Sequence, residues 1–402
     1  GAAAAAQPPA IAWGAGQAPR GRVARDGAGA AAEAAPASFA EGEESGTEKG
    51  RGGPVCLAVP QDVAARRVVS VADVHGDYEE MLKLLIKLNF VHPATTRDYW
   101  PEDLWAGGNT HFIQLGDVVD YDEDGRDMYR FLWRLQDDAR LKSQGTVDLL
   151  TGNHEVFLLQ GHLQYVAADW WVEEQTGSGP GVWVNRRHKA LCSYVEDRKV
   201  CLQQQALGYF KCADDDDGLV RTPEGCVRRA WGKEGAMGSE ARKRLKIAVQ
   251  FGDSVFVHAG LLPKLWEKIG YTRQSENGGT AAGAIGWLNN YSAKVFSLTM
   301  EELASSDNVM VDSEDPDGPT WTRVGGDNLE TRSPHSAGRL FDGYTGKTQC
   351  EVVEEGLVFL FGGGAAGKRM VIGHNRLFDS AKPLVRCRGR LILTDTIMSR
   401  GF

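Results

Sequence analysis

The sequence predicts an α/β fold of the α+β type with an inserted cap, and three observations support this prediction. Apolar runs of strand length alternate with segments of helical periodicity between residues 66 and 160. Further strand-like runs follow beyond residue 245. Residues 163–243, which lie between the two groups, contain no clear strand and are predicted to form the cap.

The first half of the chain repeats a strand and a helix in the same order. The strands are predicted in RRVVSVAD, which begins at Arg66, in THFIQLGD (110–117) and in TVDLLTGNHE (146–155). Each strand is followed by apolar residues at helical spacing: Met81, Leu84, Leu85 and Leu88; Met128, Phe131, Leu132 and Leu135; Val156, Leu158 and Leu159. Because a strand and helix repeated in this way implies right-handed crossovers, the sheet of this half should be mainly parallel.

The second half of the chain is predicted to form a series of short strands. KIAVQFGDSVFVHAGLLP (246–263) predicts two strands joined by a Gly-Asp turn. GLVFLFG (356–362), RMVIGHN (369–375) and RLILTDT (390–396) predict further strands. Helices are expected around 184–205 within the cap and near 281–296.

Composition limits the class of protein and the organisation of its 402 residues. Residues 1–62 are rich in Ala, Gly and Pro with few large apolar side chains, and are predicted to be a disordered leader. This leader is either of no specific function or the remnant of an organelle transit peptide, an idea that its glutamates weaken. Residues 63–402 are predicted to form the folded domain.

Charge and cysteine content bear on partners and compartment. The net charge of −9 argues against a nucleic-acid partner, and no apolar run approaches the roughly 20 residues that span a bilayer. The seven cysteines include no C-x-x-C pair. They are therefore expected to be mostly reduced thiols, in the cytoplasm or in an organelle such as a plastid or mitochondrion.

Polar side chains collect where the predicted strands end. They are Asp73, His75, Asp77, Asp117, Asp120, Asn153, His154, His258 and His374. Open α/β sheets gather their ligands at this edge, and the mixture of carboxylate, imidazole and amide oxygen suits two divalent cations. One carboxylate can bridge two such cations and so clamp an in-line displacement. An aspartate such as Asp117 at the end of a buried strand also needs a cation or a hydrogen-bonding partner.

These motifs carry a family resemblance. DVHGD (73–77), GDVVD (116–120), GNHE (152–155), HAG (258–260) and GH (373–374) resemble, in order and spacing, the motifs of the calcineurin-like metallophosphoesterases of the phosphoprotein phosphatase branch. GNHEVFLLQGHLQYV, the long insertion and GPTWTR (318–323) are most similar to the Shewanella-like, or bacterial-like, protein phosphatases. The resemblance implies an αββα sandwich of two mixed β-sheets flanked by helices, with 63–402 as the catalytic domain.

The resemblance also implies roles for individual residues and a cofactor of two divalent metal ions, manganese first, with iron or zinc as alternatives. Asp73 and His75 would hold the first metal, and Asp117 would bridge. Asn153, His258 and His374 would complete the second metal site. A hydroxide bridging the two metals would attack phosphorus directly, while His154, paired with Asp120, would protonate the leaving oxygen.

The acidic turn after the second strand departs from the family pattern. The family has an arginine where this chain has Tyr121, and a tyrosine offers one neutral donor in place of a bidentate fork. Arg323 matches another phosphate-binding arginine of the family, and Arg126, Arg186 and Arg187 are possible substitutes. The remaining acidic residues of this stretch, Asp122, Glu123, Asp124 and Asp127, are predicted to form a solvated turn and the first turn of a helix.

Three functions fit this pattern. The first is a phosphatase acting on phosphoprotein or phosphopeptide, at Ser/Thr or at Tyr. The second is a small-molecule or nucleotide phosphoesterase, for example one acting on diadenosine tetraphosphate. The third is a non-catalytic pseudo-phosphatase that binds phosphate or a partner protein, which is suggested by Tyr121. No nucleic acid or membrane is expected as a partner.

Overall fold

The computed structural model describes residues 67–142, 145–166, 180–203, 209–213, 219–273, 279–325, 344, 346–377 and 382–399. The predicted leader, residues 1–62, lies outside these ranges. The strands are β1 (Val68–Val71), β2 (His111–Gln114), β3 (Thr146–Leu150), β4 (Phe210–Lys211), β5 (Leu219–Val220), β6 (Leu245–Lys246), β7 (Ala248–Phe251), β8 (Ser254–Val257), β9 (Arg369–Ile372), β10 (Leu384–Arg386) and β11 (Leu391–Leu393).

Helices surround these strands. They are α1 (Tyr78–Lys87), α2 (Gly125–Leu141), α3 (Asn153–Leu159), α4 (Pro180–Cys192), α5 (Arg198–Gln203), α6 (Pro223–Trp231), α7 (Ala236–Arg244), α8 (Pro263–Lys268), α9 (Ala281–Phe296), α10 (Met300–Ala304) and α11 (Gln349–Phe361). A short 3₁₀ helix spans Cys387–Gly389.

The strands form two main sheets, as predicted, but only the second of them is mixed. The first has the order β1-β2-β3-β6 and is parallel throughout. The second has the order β10-β11-β9-β8-β7 and is mixed, because β8, β9 and β11 run parallel while β7 and β10 are antiparallel to their neighbours. The Gly-Asp turn predicted between β7 and β8 is present, with Phe251 paired to Ser254.

A compact apolar layer joins the two sheets. Its buried members come from both of them: Ala72, Ile113, Leu115 and Leu150 from the first, and Val249, Phe256 and Val371 from the second. Burying one face of each sheet against the other removes apolar surface from water, which is the main stabilising term in such a sandwich. Helices cover the outer faces, so the αββα architecture is confirmed. Within the described ranges, no helix combines the length and apolar character needed to cross a membrane.

The prediction of a strand at GLVFLFG is wrong, because these residues lie in α11. The helix begins with a capping box, in which Thr348 accepts a hydrogen bond from the Glu351 amide and the Glu351 carboxylate accepts one from the Thr348 amide. Val352, Val353 and Leu357 of this helix are buried in the core. A short apolar run is compatible with either a buried strand or a buried helix, and the capping signal upstream decides between them.

The cap lies between β3 and β6 of the first sheet. The helix expected around 184–205 is divided into α4 and α5. The region also holds a strand pair that the sequence did not predict, β4 with β5. Both strands are only two residues long, which is too short for a periodic signal.

The prediction of mostly reduced cysteines is wrong for six of them. The structure contains the disulfides Cys192–Cys201 and Cys212–Cys226 in the cap and Cys350–Cys387 in the main domain. The seventh cysteine, Cys56, lies outside the described residues. Pairing partners that are distant in sequence, such as Cys350 and Cys387, are brought together by the fold and cannot be deduced from spacing.

Candidate active site

Strand ends from both sheets meet at one edge of the sandwich. Asp73 and His75 follow β1, Asp117 follows β2, Asn153 follows β3, His258 follows β8 and His374 follows β9; all six are buried. The two loops of the first sheet are tied together, because the amides of Val74 and His75 both donate to the carbonyl oxygen of Asp117, at 3.1 and 3.0 Å. The structure therefore brings together every residue predicted as a metal ligand.

The carboxylate of Asp117 stands at the centre of this cluster. Its Oδ2 lies 3.4 Å from Nε2 of His258, 3.7 Å from Nε2 of His75 and 3.9 Å from Nε2 of His154. Asp117 belongs to two separate groups of potential metal ligands, one with His75 and His154 and the other with His258 and His374. This shared position is the one that a bridging ligand occupies.

The remaining predicted ligands complete the second group. Nε2 of His258 lies 2.9 Å from Oδ1 of Asn153 and 3.2 Å from Nδ1 of His374. Asp73 is close by, since its Oδ1 accepts a hydrogen bond from the His374 amide at 3.1 Å. Backbone carbonyl groups fix the ring orientation of two of the histidines. Nδ1 of His75 lies 3.0 Å from the carbonyl oxygen of Val119, and Nδ1 of His258 lies 2.9 Å from that of Leu115. Such contacts fix the tautomer that points Nε2 inward, as in metal-bound histidines.

The electrostatics of the cluster fit divalent cations. Burial lowers the pKa of His75 and of His374 well below the usual range, so both are neutral, the form that binds metal. Burial opposes the charged form of His258, but the charge of Asp117 outweighs it and raises the pKa of His258 to about 9. Nδ1 of His374 faces Nε2 of His258 at 3.2 Å. A cation bound between these two nitrogens would replace the proton on His258.

One further carboxylate, that of Asp395, lies next to the cluster. Burial, and then the neighbouring Asp395, raise the pKa of Asp73 well above its usual range. Asp395 follows β11, and its Oδ1 accepts a hydrogen bond from the Ile397 amide at 3.1 Å, while its Oδ2 is buried with no hydrogen-bond partner among the described residues. An unpartnered buried oxygen of this kind is costly, and a bound cation would offset the cost. Sequence reasoning missed Asp395, although LTD at the end of a predicted strand carries the same signal as the other ligands.

His154 and Asp120 form a pair beside Asp117. Nδ1 of His154 lies 2.8 Å from Oδ2 of Asp120, and both residues are buried. Burial opposes the charged form of His154, but Asp117 and the bond to Asp120 raise its pKa above the usual value. The raised pKa favours the protonated form of His154, the form that a general acid needs.

Glu155 is a further buried residue of this site whose role the sequence did not suggest. Its Oε2 accepts hydrogen bonds from the amides of Gly152 and Asp117 at 2.7 and 2.9 Å, and its Oε1 accepts one from Val118 at 2.9 Å. The carboxylate thus joins the loop after β2 to the N-terminus of α3. Gly152 is required here, because a Cβ at this position would collide with Oδ1 and the amide of Asp117.

The backbone of the site is strained. Five of the site residues adopt left-handed conformations with φ between 40° and 69°: His75, Asp117, Asp120, Tyr121 and His374. Few residues other than glycine adopt this region, and each such residue costs on the order of 1 kcal/mol. The sharp reversals at the strand ends turn these side chains toward a common point.

The predicted substrate-binding residues lie around the cluster. The ring of Tyr121 packs edge-on against His75, with 4.7 Å between centroids. Nη1 of Arg323 donates to the carbonyl of His374 at 2.7 Å, so this arginine borders the second group. Arg187 instead donates to the carbonyls of Leu163 and Val166, and it holds the start of the cap.

The prediction that the remaining acidic residues form a solvated turn is wrong for two of them. Asp122 and Asp124 are buried. Arg97 forms hydrogen bonds to Asp124 through both terminal nitrogens, one of them at 2.7 Å, and lies 3.5 Å from Asp127. Asp127 lies in the first turn of α2, as predicted. Arg97, which is distant in sequence, therefore pairs with two acidic residues of a run that is typical of an exposed turn.

Sequence comparison finds relatives that are named as protein phosphatases. No family model matches the chain. The chain is 24% identical over 340 residues to Shewanella-like protein phosphatase 2 of Arabidopsis thaliana, which covers 83% of this chain and 72% of the relative. It is 36% identical over 100 residues to Shewanella-like protein phosphatase 1 of Plasmodium berghei, covering 25% of each chain.

Structure comparison finds chains that are also described as protein phosphatases. The cold-active protein-tyrosine phosphatase of a psychrophilic Shewanella species matches with a TM-score of 0.45 and 19% identity, covering 83% of this chain and 72% of that one. A protein serine/threonine phosphatase from Saccharomyces cerevisiae with similarity to human phosphatase PP5 matches with a TM-score of 0.36 and 11% identity, covering 82% and 66%. By sequence the chain is similar to the Shewanella-like protein phosphatases, and its five motifs resemble those of the phosphoprotein phosphatase branch of the metallophosphoesterases.

Proposed function

We propose that this protein is a metal-dependent phosphatase that hydrolyses phosphomonoesters on phosphoproteins, with water as the nucleophile. The observation that carries the proposal is the position of Asp117, whose Oδ2 lies within 3.9 Å of the Nε2 atoms of three histidines from separate strand ends. A carboxylate surrounded in this way suits two cations better than one. The names of the sequence relatives support the same reaction class.

The residues divide into two sets with different tasks. Asp73, His75 and Asp117 would hold one divalent cation, and Asp117, Asn153, His258 and His374 would hold the other. When bound, two such cations lower the pKa of water and offset the charge on the phosphoryl group. Manganese is the expected ion, with iron or zinc as alternatives, because oxygen and imidazole ligands accept all three.

His154 is placed to complete the reaction. As the P–O bond breaks, the leaving oxygen takes up negative charge and needs a proton. His154 holds that proton at Nε2, since its Nδ1 faces Asp120. Asp120 keeps the ring oriented and stabilises its charged form, although burial raises the pKa of Asp120 itself above the usual value.

Aromatic side chains next to His154 favour an aryl phosphate as the substrate. The rings of His154 and Tyr165 lie 5.2 Å apart, and Phe157 stacks on Tyr165 at 5.0 Å. Trp321 packs against Phe157 from the other side, at 4.8 Å. These rings would contact the leaving group, so we propose phosphotyrosine in proteins as the preferred target over phosphoserine or phosphothreonine.

A substrate panel tests this function. The protein, with its metals removed and then restored as manganese, is assayed against phosphotyrosine, phosphoserine and phosphothreonine peptides, p-nitrophenyl phosphate and diadenosine tetraphosphate. We expect manganese-dependent phosphate release with the highest kcat/KM on phosphotyrosine peptides. Turnover confined to the nucleotide would show a small-molecule phosphoesterase. A metal-loaded protein that binds phosphate but turns over none of these compounds would show a non-catalytic scaffold.

A further inference from the structure

A second arginine, Arg376, borders the site, and sequence reasoning did not single it out. It lies two residues after His374 in the segment that leaves β9. Its guanidinium carbon is 5.2 Å from the centroid of the Tyr121 ring, within the range of a cation–π contact. The two side chains also form a hydrogen bond, and this bond opposes the effect of burial, which raises the pKa of Tyr121 to about 12.

Tyr121 places the guanidinium of Arg376 beside the metal ligands. The same ring that contacts Arg376 packs edge-on against His75 at 4.7 Å. Tyr121 is thus sandwiched between a predicted metal ligand and an arginine, and it stands where the related phosphatases carry an arginine of their own.

The two arginines of the site lie near each other. Arg323 donates to the carbonyl of His374, and after burial the charge of Arg376 is the next cause that lowers the pKa of Arg323. Arg323 is exposed and Arg376 is half-buried, so both can be reached from solvent. Asp395 lies within the electrostatic reach of Arg376, but no carboxylate is recorded within ion-pair distance of Arg323 in the described part of the chain. Two neighbouring guanidinium groups repel each other unless an anion lies between them.

We propose that Arg376 and Arg323 form a two-arginine clamp for the terminal oxygens of the substrate phosphoryl group, and that Tyr121 holds Arg376 in position. This inference rests on the proposed function and adds the residue that binds the phosphate. An arginine binds a phosphate through two parallel N–H···O bonds, which a tyrosine hydroxyl cannot form. In this way Arg376, in the loop after β9, supplies the positive charge that the related phosphatases carry at position 121. The ring of Tyr121 holds its guanidinium group in place.

The test measures phosphate affinity separately from chemistry. Wild type, Arg376→Met, Arg376→Lys and the double variant Arg376→Met with Tyr121→Arg are loaded with manganese. For each protein we determine the inhibition constant of inorganic phosphate, KM and kcat for p-nitrophenyl phosphate, phosphate binding by calorimetry, and the Tm. Arg388→Met is the matched control, because Arg388 is exposed on the turn at Cys387–Gly389 and loses the same charge.

Loss of a charge-assisted contact at Arg376 should weaken phosphate binding about ten- to a hundredfold. We expect Arg376→Met to raise the inhibition constant and KM by this factor at unchanged Tm. Arg376→Lys should show a smaller increase, because a lysine keeps the charge but not the fork. The double variant should regain affinity, and Arg388→Met should match wild type.

Failure of the clamp differs from failure of the proposed function. If wild type is active and Arg376→Met leaves the inhibition constant and KM unchanged, the clamp is wrong and the phosphatase stands. If no protein turns over substrate but calorimetry shows the loss and recovery of phosphate binding, the clamp stands and the phosphatase is wrong. A double variant that binds phosphate no better than Arg376→Met would also contradict the clamp.

Discussion

Nδ1 of His154 lies 2.8 Å from Oδ2 of Asp120, and this bond determines which ring nitrogen faces the cluster around Asp117. Both side chains are buried, so their orientation is not averaged by exposure to water. The pair comes from two strand ends that are tied together by Glu155. The orientation of the His154 ring therefore depends on the same loops that hold the predicted metal ligands.

The first prediction concerns this pair. Asp120→Asn should lower kcat about ten- to a thousandfold, because an amide neither stabilises the charged ring nor selects its tautomer as firmly. The loss should be larger for phosphoserine peptides than for p-nitrophenyl phosphate, whose leaving group needs little help from a proton. Steady-state kinetics on both substrates measure this difference. Equal losses on the two substrates would contradict the role of His154 as the proton donor.

Replacing the central carboxylate should remove metal and activity together. In Asp117→Asn the shared anionic ligand is lost, so we expect metal content to fall toward one ion or none per chain and kcat to fall by at least about a thousandfold. Elemental analysis of the purified protein gives the stoichiometry. Asp253→Asn is the control, since Asp253 is an exposed carboxylate on the β7–β8 turn. Full metal occupancy in Asp117→Asn would refute the assignment of the bridge.

Glu155 provides a prediction about support of the site. A glutamine at this position would turn an amino group toward at least one of the amides of Gly152, Asp117 and Val118 that now donate to the carboxylate. We expect Glu155→Gln to weaken metal binding roughly 10- to 100-fold, as is typical when the groups that orient metal ligands are lost. Competition with a metal chelator measures the affinity. Unchanged affinity would mean that Glu155 serves only the fold.

A prediction about the pH dependence of stability concerns the first sheet, away from the candidate active site. Oδ2 of Asp148 lies 2.8 Å from Nε2 of His111 and its Oδ1 lies 2.7 Å from Nζ of Lys246. Burial would raise the pKa of Asp148, but these partners outweigh it and hold the pKa below the usual value. A lowered carboxyl pKa stabilises the fold above the unfolded value of about 3.9, and the contribution is lost as the pH falls through the folded value.

Asp148→Asn should therefore destabilise the protein by about 1–3 kcal/mol at pH 7. The difference from wild type should shrink as the pH is lowered below about 4. Urea unfolding at several pH values gives the free energies of unfolding. A difference that stays constant down to pH 3 would show that the charge of Asp148 is not what stabilises the sheet.

The Cys350–Cys387 disulfide predicts a dependence on redox conditions. It joins α11 to the turn between β10 and β11 and closes a loop with a sequence separation of 37 residues. Loop-closure entropy for this length corresponds to about 4 kcal/mol of stability. We expect the double variant Cys350→Ser with Cys387→Ser to unfold at lower urea concentration and to respond less to a reducing agent than wild type. Alkylation of free thiols at both positions in the untreated protein would contradict the pairing.

Most strands, and the clustering of the predicted metal ligands at the strand ends, could be predicted from sequence because their signals are local. Each ligand follows an apolar strand, and the rule that strand ends gather ligands brings Asp73 next to His374 across a sequence separation of 301 residues. The strand predicted at GLVFLFG failed for the opposite reason, since its local signal is ambiguous and the capping box lies outside the apolar run.

The features that sequence reasoning missed depend on contacts that no local pattern encodes. Arg376 has no motif of its own, and its importance follows from the ring of Tyr121 beneath it. Asp122 and Asp124 resemble a solvated turn until Arg97 is placed over Asp124. The disulfides likewise require the positions of six cysteines in space.

The left-handed backbone at five site residues has a consequence for engineering and for evolutionary drift. Glycine accepts such conformations freely, so replacing Asp117 or Asp120 by glycine would remove groups of the proposed active site and relieve torsional cost in the same step. Selection for heat resistance alone would therefore favour variants that have lost their activity. A directed-evolution campaign on this scaffold must therefore score turnover in every round, because the catalytic machinery is among the first parts that a search for robustness would discard.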